Sequence, residues 1–264
     1  MPDRRLRRAP VRFPALFADG PVAIAHRGGG WDHPENSGAA FAASHALGIR
    51  YFETDARATR DGVCLAFHDA NLGRVTDTDA RIRDLPWDHV RRARIHGHAD
   101  VLRMDDLIDA YPDVTFNVDL KEKGAIAPFL EVVRRTGSAD RVVLASFSHH
   151  RLQAARRELG PRVASSLSPR EIAGLRLAAD GRTTALLPRW AACAQVPPTF
   201  GGRTIVDRPF VDLCHGLGLQ VHVWTINDAP VMEGLLDLGV DGIMTDRPAV
   251  LRAVLQARGG WTGG

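Results

Sequence analysis

Glu53 and Asp55 stand two residues apart in the segment YFETDARATRDGVCLAFHD, which runs from Tyr51 to Asp69. On a β-strand, residues i and i+2 share a face, so an extended segment brings the two carboxylates together. An Arg60-Asp61-Gly62 turn signal follows, and then a second apolar run from Val63 to Phe67. That is the pattern of a hairpin, and its returning arm delivers His68 to the level of Glu53. Two acids and an imidazole at one end of one small β-unit can move protons and gather a cation.

The rest of the chain must hold that unit in place. Short β-branched runs at Val22–His26, Tyr51–Arg57, Thr115–Lys121, Arg141–Phe147, Arg162–Ser166, Thr184–Leu187, Gln220–Ile226 and Gly242–Asp246 read as eight strands. Val63–Phe67 is set apart from them as the hairpin arm. Amphipathic stretches lie between, such as Asn36–Leu47, His149–Glu158, Pro209–Leu217 and Ala229–Leu238. Their ends carry helix signals: Asn36 or Ser37 as a cap, Asp228 before Pro230, and stops at Gly48, Gly160, Gly218 and Gly239. Alternation of apolar strands and helices implies a parallel sheet covered on both faces. Eight such units predict a single α/β domain, a (β/α)8 TIM barrel. A doubly wound sheet would carry a GxGxxG loop after the first strand, and His26-Arg27-Gly28-Gly29-Gly30 does not match it. Residues 71–102 are polar and rich in Arg, Asp and His, and are expected as a short insertion above the barrel, too small for a core of its own. Residues 1–20 are expected as a basic tail and residues 259–264 as a flexible end.

Composition excludes several classes. With 264 residues, 45% apolar and 25% charged, the chain is that of an ordinary globular domain. A net charge of +3 is too weak to argue for a nucleic-acid partner. Cys64, Cys193 and Cys214 are odd in number and far apart, which suits buried free thiols in a reducing compartment. The Arg-rich start is followed by a run broken at Asp19-Gly20-Pro21, unlike a signal peptide, and no stretch has the length of a membrane span. A cytoplasmic protein with no stable membrane insertion is the expectation.

In a barrel, catalytic groups collect at the C-terminal strand ends. His26 and Arg27 close the first strand, and Glu53 and Asp55 lie late in the second. Asn117, Asp119 and Lys121 share one face of the third, and His222 and Trp224 one face of the seventh. Buried ionisable groups are costly unless paired. Glu53, Asp55 and Asp119 form an all-oxygen set suited to one divalent cation, Mg²⁺ or Ca²⁺, with Lys121 a second source of positive charge.

HRGGGWDHPENS followed by ETDARATRDGVCLAFHDANLGRVT resembles the signature of the glycerophosphodiester phosphodiesterase family, as do FNVDLK, VWTIND and VDGIMTDRP later on. The likeness spans Val22 to about Leu251. It implies a TIM barrel, a bound Mg²⁺ or Ca²⁺, catalytic histidines at His26 and His68, and metal carboxylates at Glu53, Asp55 and Asp119. The family usually has glutamate where this chain has Asp119. The expected substrate is a small glycerophosphodiester, split into glycerol 3-phosphate and an alcohol. Arg27 and Lys121 are expected to hold phosphate oxygens and Trp224 to wall the pocket. The resemblance also implies attack by the substrate's own 2-hydroxyl, giving a cyclic phosphate that water opens. Which histidine is base and which acid is open from spacing alone. Two rival readings remain. One is a lysophospholipase D-type enzyme, expected to have an apolar groove near residues 71–102. The other is a non-catalytic barrel that binds phosphate esters.

Overall fold

A computed structural model describes residues 13–16, 20–181 and 191–261. Eight parallel strands close into a barrel: Val22–Ala25, Tyr51–Ala58, Thr115–Leu120, Val142–Ala145, Ala164–Ser166, Ala191–Val196, Gln220–Val223 and Gly242–Thr245. Neighbours pair in sequence order, and the first strand bonds both the second and the last, which closes the ring. Helices cover the outside. Gly38–Ala46 is capped by the Ser37 side chain, and Ala229–Leu238 by that of Asp228, both among the expected caps. The expected sixth strand, Thr184–Leu187, lies outside the described residues. The sixth place in the barrel is held by Ala191–Val196.

The hairpin forms as expected. Cys64–Ala66 runs back along the second strand with Ala58 opposite Cys64 and Ala56 opposite Ala66, and Gly62 takes a positive φ of 84° in the turn. The register differs by one step from expectation. Phe67 N–H donates to the Asp55 carbonyl at 2.9 Å, so the register brings His68 across from Thr54, where it feels the Asp55 charge.

Residues 71–102 have more core than their composition suggested. Leu72, Val75, Ile82, Val90, Ile95 and Val101 are buried together on Leu65 and Phe67 of the hairpin. The insertion thus roots itself on the arm that carries His68. Phe13, Ala15 and Leu16, within the stretch expected as a tail, are buried against Val143, Ala164 and Cys193. Gln220 Nε2 donates to the Leu16 carbonyl at 2.8 Å. At the other end, Trp261 packs on the main core.

Helix Pro169–Ala179 starts with a capping box: the Ser168 side chain accepts from Glu171 N–H while Glu171 accepts from Ser168 N–H at 2.7 Å. Buried Arg156 grips the same glutamate at 2.8 Å. Ser168→Ala lowers stability by about 1 kcal/mol, seen as a fall in Tm of roughly 2–4 °C. An unchanged melt would mean that Arg156 alone holds the helix start.

Candidate active site

The cavity at the C-terminal rim is bordered by His26, Arg27, Glu53, Asp55, His68, Asp119, Lys121 and Trp224. All eight residues singled out from the sequence therefore meet there. Strand pleating explains the acids: Glu53 and Asp55 point into the cavity while Phe52 and Ala56 pack into the surrounding core. The second and third strands are in register with Asp55 beside Asp119 and Glu53 beside Asn117. Cross-strand neighbours on one face are within reach of each other.

The two imidazoles are held in the same way by different carboxylates. His26 Nδ1 donates to Asp246 Oδ1 at 2.6 Å, and its Nε2 lies 3.8 Å from Glu53 Oε2. His68 Nδ1 donates to Asp69 Oδ1 at 2.7 Å. Occupying Nδ1 in this manner fixes the tautomer and leaves Nε2 for other work. Asp69 is in turn bonded by Arg74, and further bonds steady each imidazole. Asn227 Nδ2 donates to Asp246 Oδ2 at 2.8 Å, and Arg57 clasps the His68 carbonyl with Nε at 3.0 Å and Nη2 at 2.9 Å. Burial works against a charged His26, but the Glu53 charge and the Asp246 hydrogen bond outweigh it, and the pKa is raised. For His68 burial wins over Asp55 and Asp69, helped by the charges of Arg27 and Lys121, and the pKa is lowered.

Arg27 sits in left-handed backbone with φ 49°, an uncommon state for a residue other than glycine. That conformation aims its N–H at Glu53 Oε2, 3.0 Å away. Its guanidinium reaches Glu35 at 3.1 Å and lies 3.5 Å from Asp55. Asn36, also at positive φ, donates to Asp55 Oδ2 at 3.3 Å and accepts from Thr54 Oγ1 at 2.8 Å.

Lys121 bridges Asp55 Oδ1 at 2.9 Å and Asp119 Oδ2 at 2.7 Å. Burial opposes its charge, yet the two aspartates prevail and hold its pKa above the usual lysine range. The same ammonium helps to keep Asp55 below the ordinary carboxylate range despite burial. For Glu53 the opposing charges of His26 and Lys121 are outweighed. Burial, and then the neighbouring Asp55 charge, push it up to about 7.

The rim suits a hard divalent cation in its donor chemistry: the acids offer only oxygen, and Asp119 Oδ1 is buried without a hydrogen-bond partner. Glu53, strained toward its neutral form, is the group a cation would most relieve. Among the described residues no three His, Cys, Asp or Glu side chains are gathered tightly enough to enclose an ion. Here the Lys121 ammonium answers both Asp55 and Asp119, and the Arg27 guanidinium adds to it at Asp55.

Trp224 meets Phe147 edge to face at 5.7 Å on the far wall. His222 and Asn117 lie deeper, joined through Gln195, which bonds Asn117 Oδ1 at 3.0 Å. Burial drives the His222 pKa down to about 4, so it stays neutral. Sequence reasoning passed over Asp246, Asp69, Asn36 and Arg57. Asp69 directly follows His68, and Asp246 opens the DRP after the last strand, so position at a strand end was the available signal.

Fold and rim together are those of a (β/α)8-barrel hydrolase that sets imidazoles among carboxylates. The pattern of the glycerophosphoryl diester phosphodiesterase family matches residues 26–250, and the chain belongs to that family. It is 39% identical over 248 residues to a Mycobacterium tuberculosis protein named "Probable glycerophosphodiester phosphodiesterase 2", covering 92% of this chain and 94% of that one. Solved structures share the fold. An Oleispira antarctica phosphodiesterase in complex with the product sn-glycerol-3-phosphate superposes with a TM-score of 0.74 at 22% identity, covering 90% of this chain and 97% of that one. A glycerophosphodiester phosphodiesterase from Agrobacterium tumefaciens gives 0.75 at 22% identity, with 89% and 99% covered. Cys64, Cys193 and Cys214 are free and buried. Among the described residues no helix is long and apolar enough to cross a membrane.

Proposed function

We propose that this chain is a single phosphodiesterase domain that hydrolyses small glycerophosphodiesters to sn-glycerol 3-phosphate and an alcohol, with His68 as general base and His26 as general acid. The observation that carries the reading is the pair of carboxylate-anchored imidazoles bordering one cavity with a buried acid cluster. Their environments push the two pKa values apart, which suits one to take a proton and the other to give one. His68 Nε2 would take the proton from the attacking hydroxyl. His26 Nε2 would protonate the departing alcohol oxygen, and Asp246 would stabilise the imidazolium beforehand. Arg27 and Lys121 would hold phosphate oxygens, and Trp224 would wall the pocket. Glu53, Asp55 and Asp119 would hold one divalent cation, Mg²⁺ or Ca²⁺. When bound, it would neutralise phosphate charge as a Lewis acid.

Purified protein is expected to release glycerol 3-phosphate from glycerophosphocholine or a relative and to stop when chelator is added. No turnover of any head group with Mg²⁺, Ca²⁺ or Mn²⁺ supplied overturns the reading. The acid–base assignment has its own test. His26 must be protonated to act as acid, so its pKa sets the alkaline limb of the kcat/KM profile. Asp246→Asn removes a charge that raises that pKa, and the limb moves to lower pH by about 1–3 units. A shift of the acid limb instead would exchange the two roles.

A further inference from the structure

A polar column runs through the barrel beneath the acids, and the acid–base chemistry above makes no use of it. It starts at the N-terminal end of the seventh strand, where Gln220 Nε2 donates to the Leu16 carbonyl at 2.8 Å. A carbonyl only accepts, so the Gln220 amide is fixed and its Oε1 is left to accept. His222 Nε2–H donates to that oxygen at 2.9 Å. Burial drives the His222 pKa down to about 4, so the ring is neutral and its Nδ1 carries a lone pair. Gln195 Nε2 lies 3.4 Å from this Nδ1 and donates to Asn117 Oδ1 at 3.0 Å. Each group thus sets the orientation of the next. The last two amides keep one atom each to offer, Asn117 Nδ2 as a donor and Gln195 Oε1 as an acceptor. Among the described residues neither atom has a hydrogen-bond partner, and neither is sealed from solvent, since both residues border the active-site cavity. Asn117 is only 6% exposed, and polar groups at such depth are costly to leave unpaired.

We propose that Asn117 Nδ2 and Gln195 Oε1 together bind the terminal hydroxyl of the substrate's glycerol, so that the enzyme selects diesters in which this hydroxyl is free. The inference rests on the phosphodiesterase reading above. A hydroxyl both accepts and donates, and so answers the two amides at once. A phosphate oxygen would satisfy only the donor, and an ammonium only the acceptor. Position agrees with chemistry. Asn117 stands opposite Glu53 and two residues below Asp119 on the third strand, under the place where Arg27 and Lys121 would hold the phosphate. The terminal hydroxyl is the glycerol oxygen farthest from phosphorus and reaches deepest. Beneath the amides the barrel is closed by the buried His222 ring, packed so tightly that a Cβ on Gly242 would come within 2.8 Å of it. The departing alcohol, which differs from one substrate to the next, faces the open part of the cavity of about 850 Å³, among Phe147, Leu167 and Pro197. That part lies over the fourth to sixth strands and not beside residues 71–102. Glycerol goes down and the head group goes out. A substituent on the terminal hydroxyl removes the donor that Gln195 needs and is driven against the floor.

The test compares glycerophosphocholine with two analogues that keep the hydroxyl next to the phosphate: the propane-1,2-diol diester, which lacks the terminal hydroxyl, and the methyl ether of that hydroxyl. Wild-type kcat/KM falls by roughly 10–100-fold for each analogue, because the amides are left unpaired. Asn117→Leu and Gln195→Leu lower glycerophosphocholine turnover by a similar factor but leave the propanediol diester within about threefold of wild type, so the discrimination collapses. A merely structural role would depress both substrates equally and preserve their ratio. The wild-type comparison stands whether or not the variants fold. Glycerophosphocholine turnover matched by the propanediol diester overturns the hydroxyl site alone. So does full discrimination retained in both folded variants. Failure to hydrolyse any diester overturns the underlying activity and the site with it.

Discussion

His26→Ala lowers kcat/KM by about 10²–10⁴-fold, and His68→Ala does the same, while thermal melts and circular dichroism report a folded barrel. The side chains are 18% and 31% exposed, and each makes its main hydrogen bond to one carboxylate at the rim. Truncating them opens space toward solvent and leaves the packed core untouched. The double variant falls less than the product of the two, because an acid without its base is left with little to do. A melt that collapses for either single variant would return that imidazole to a structural role. A fall of less than tenfold in both would remove acid–base chemistry from this pair.

Saturating Mg²⁺ or Ca²⁺ raises the melting temperature, and Glu53→Gln abolishes the rise. At a hundredfold excess over Kd the linkage is about 2.7 kcal/mol, which corresponds to roughly 5–10 °C for a domain of this size. Glu53 is buried beside Asp55 and pushed up to about 7, so in the wild type a cation relieves repulsion as well as forming bonds. The glutamine variant carries no such repulsion and, without cation, melts no lower than wild type. An equal shift in wild type and variant would place the cation elsewhere. No shift in either would leave Lys121 and Arg27 as sufficient positive charge for these acids.

The sequence stated the barrel through its period and the rim through its strand ends. Seven of the eight strands fall within expected runs, most of them marked by β-branched residues such as Val22, Ile24, Val142, Val143, Val221 and Ile243. The sixth does not: Ala191–Val196 reads AACAQV, small residues with one polar interruption, and it lies in the barrel because its neighbours complete it. Phe13 and Leu16 illustrate the same point, since burial beneath the barrel is a property of the closed ring and not of a short run among arginines. At the site, Glu53, Asp55 and Asp119 were legible from spacing two apart. The bond between His26 and Asp246 crosses 220 positions, and only the closing of the first strand on the last brings them together.

The rim has one more property, which follows from how its charges are strung. Arg27 bonds Glu35, Glu35 bonds Arg74, Arg74 bonds Asp69, and Asp69 holds His68. Arg74 belongs to the insertion that follows the hairpin, so the loop after the first strand and the segment after the hairpin are laced together. Isolated exposed pairs contribute little, whereas linked ones act as a unit. His68 therefore hangs on a cord whose far end is Arg27, the residue next to His26, and slackening it at Arg74 would loosen His68 relative to the end of the first strand.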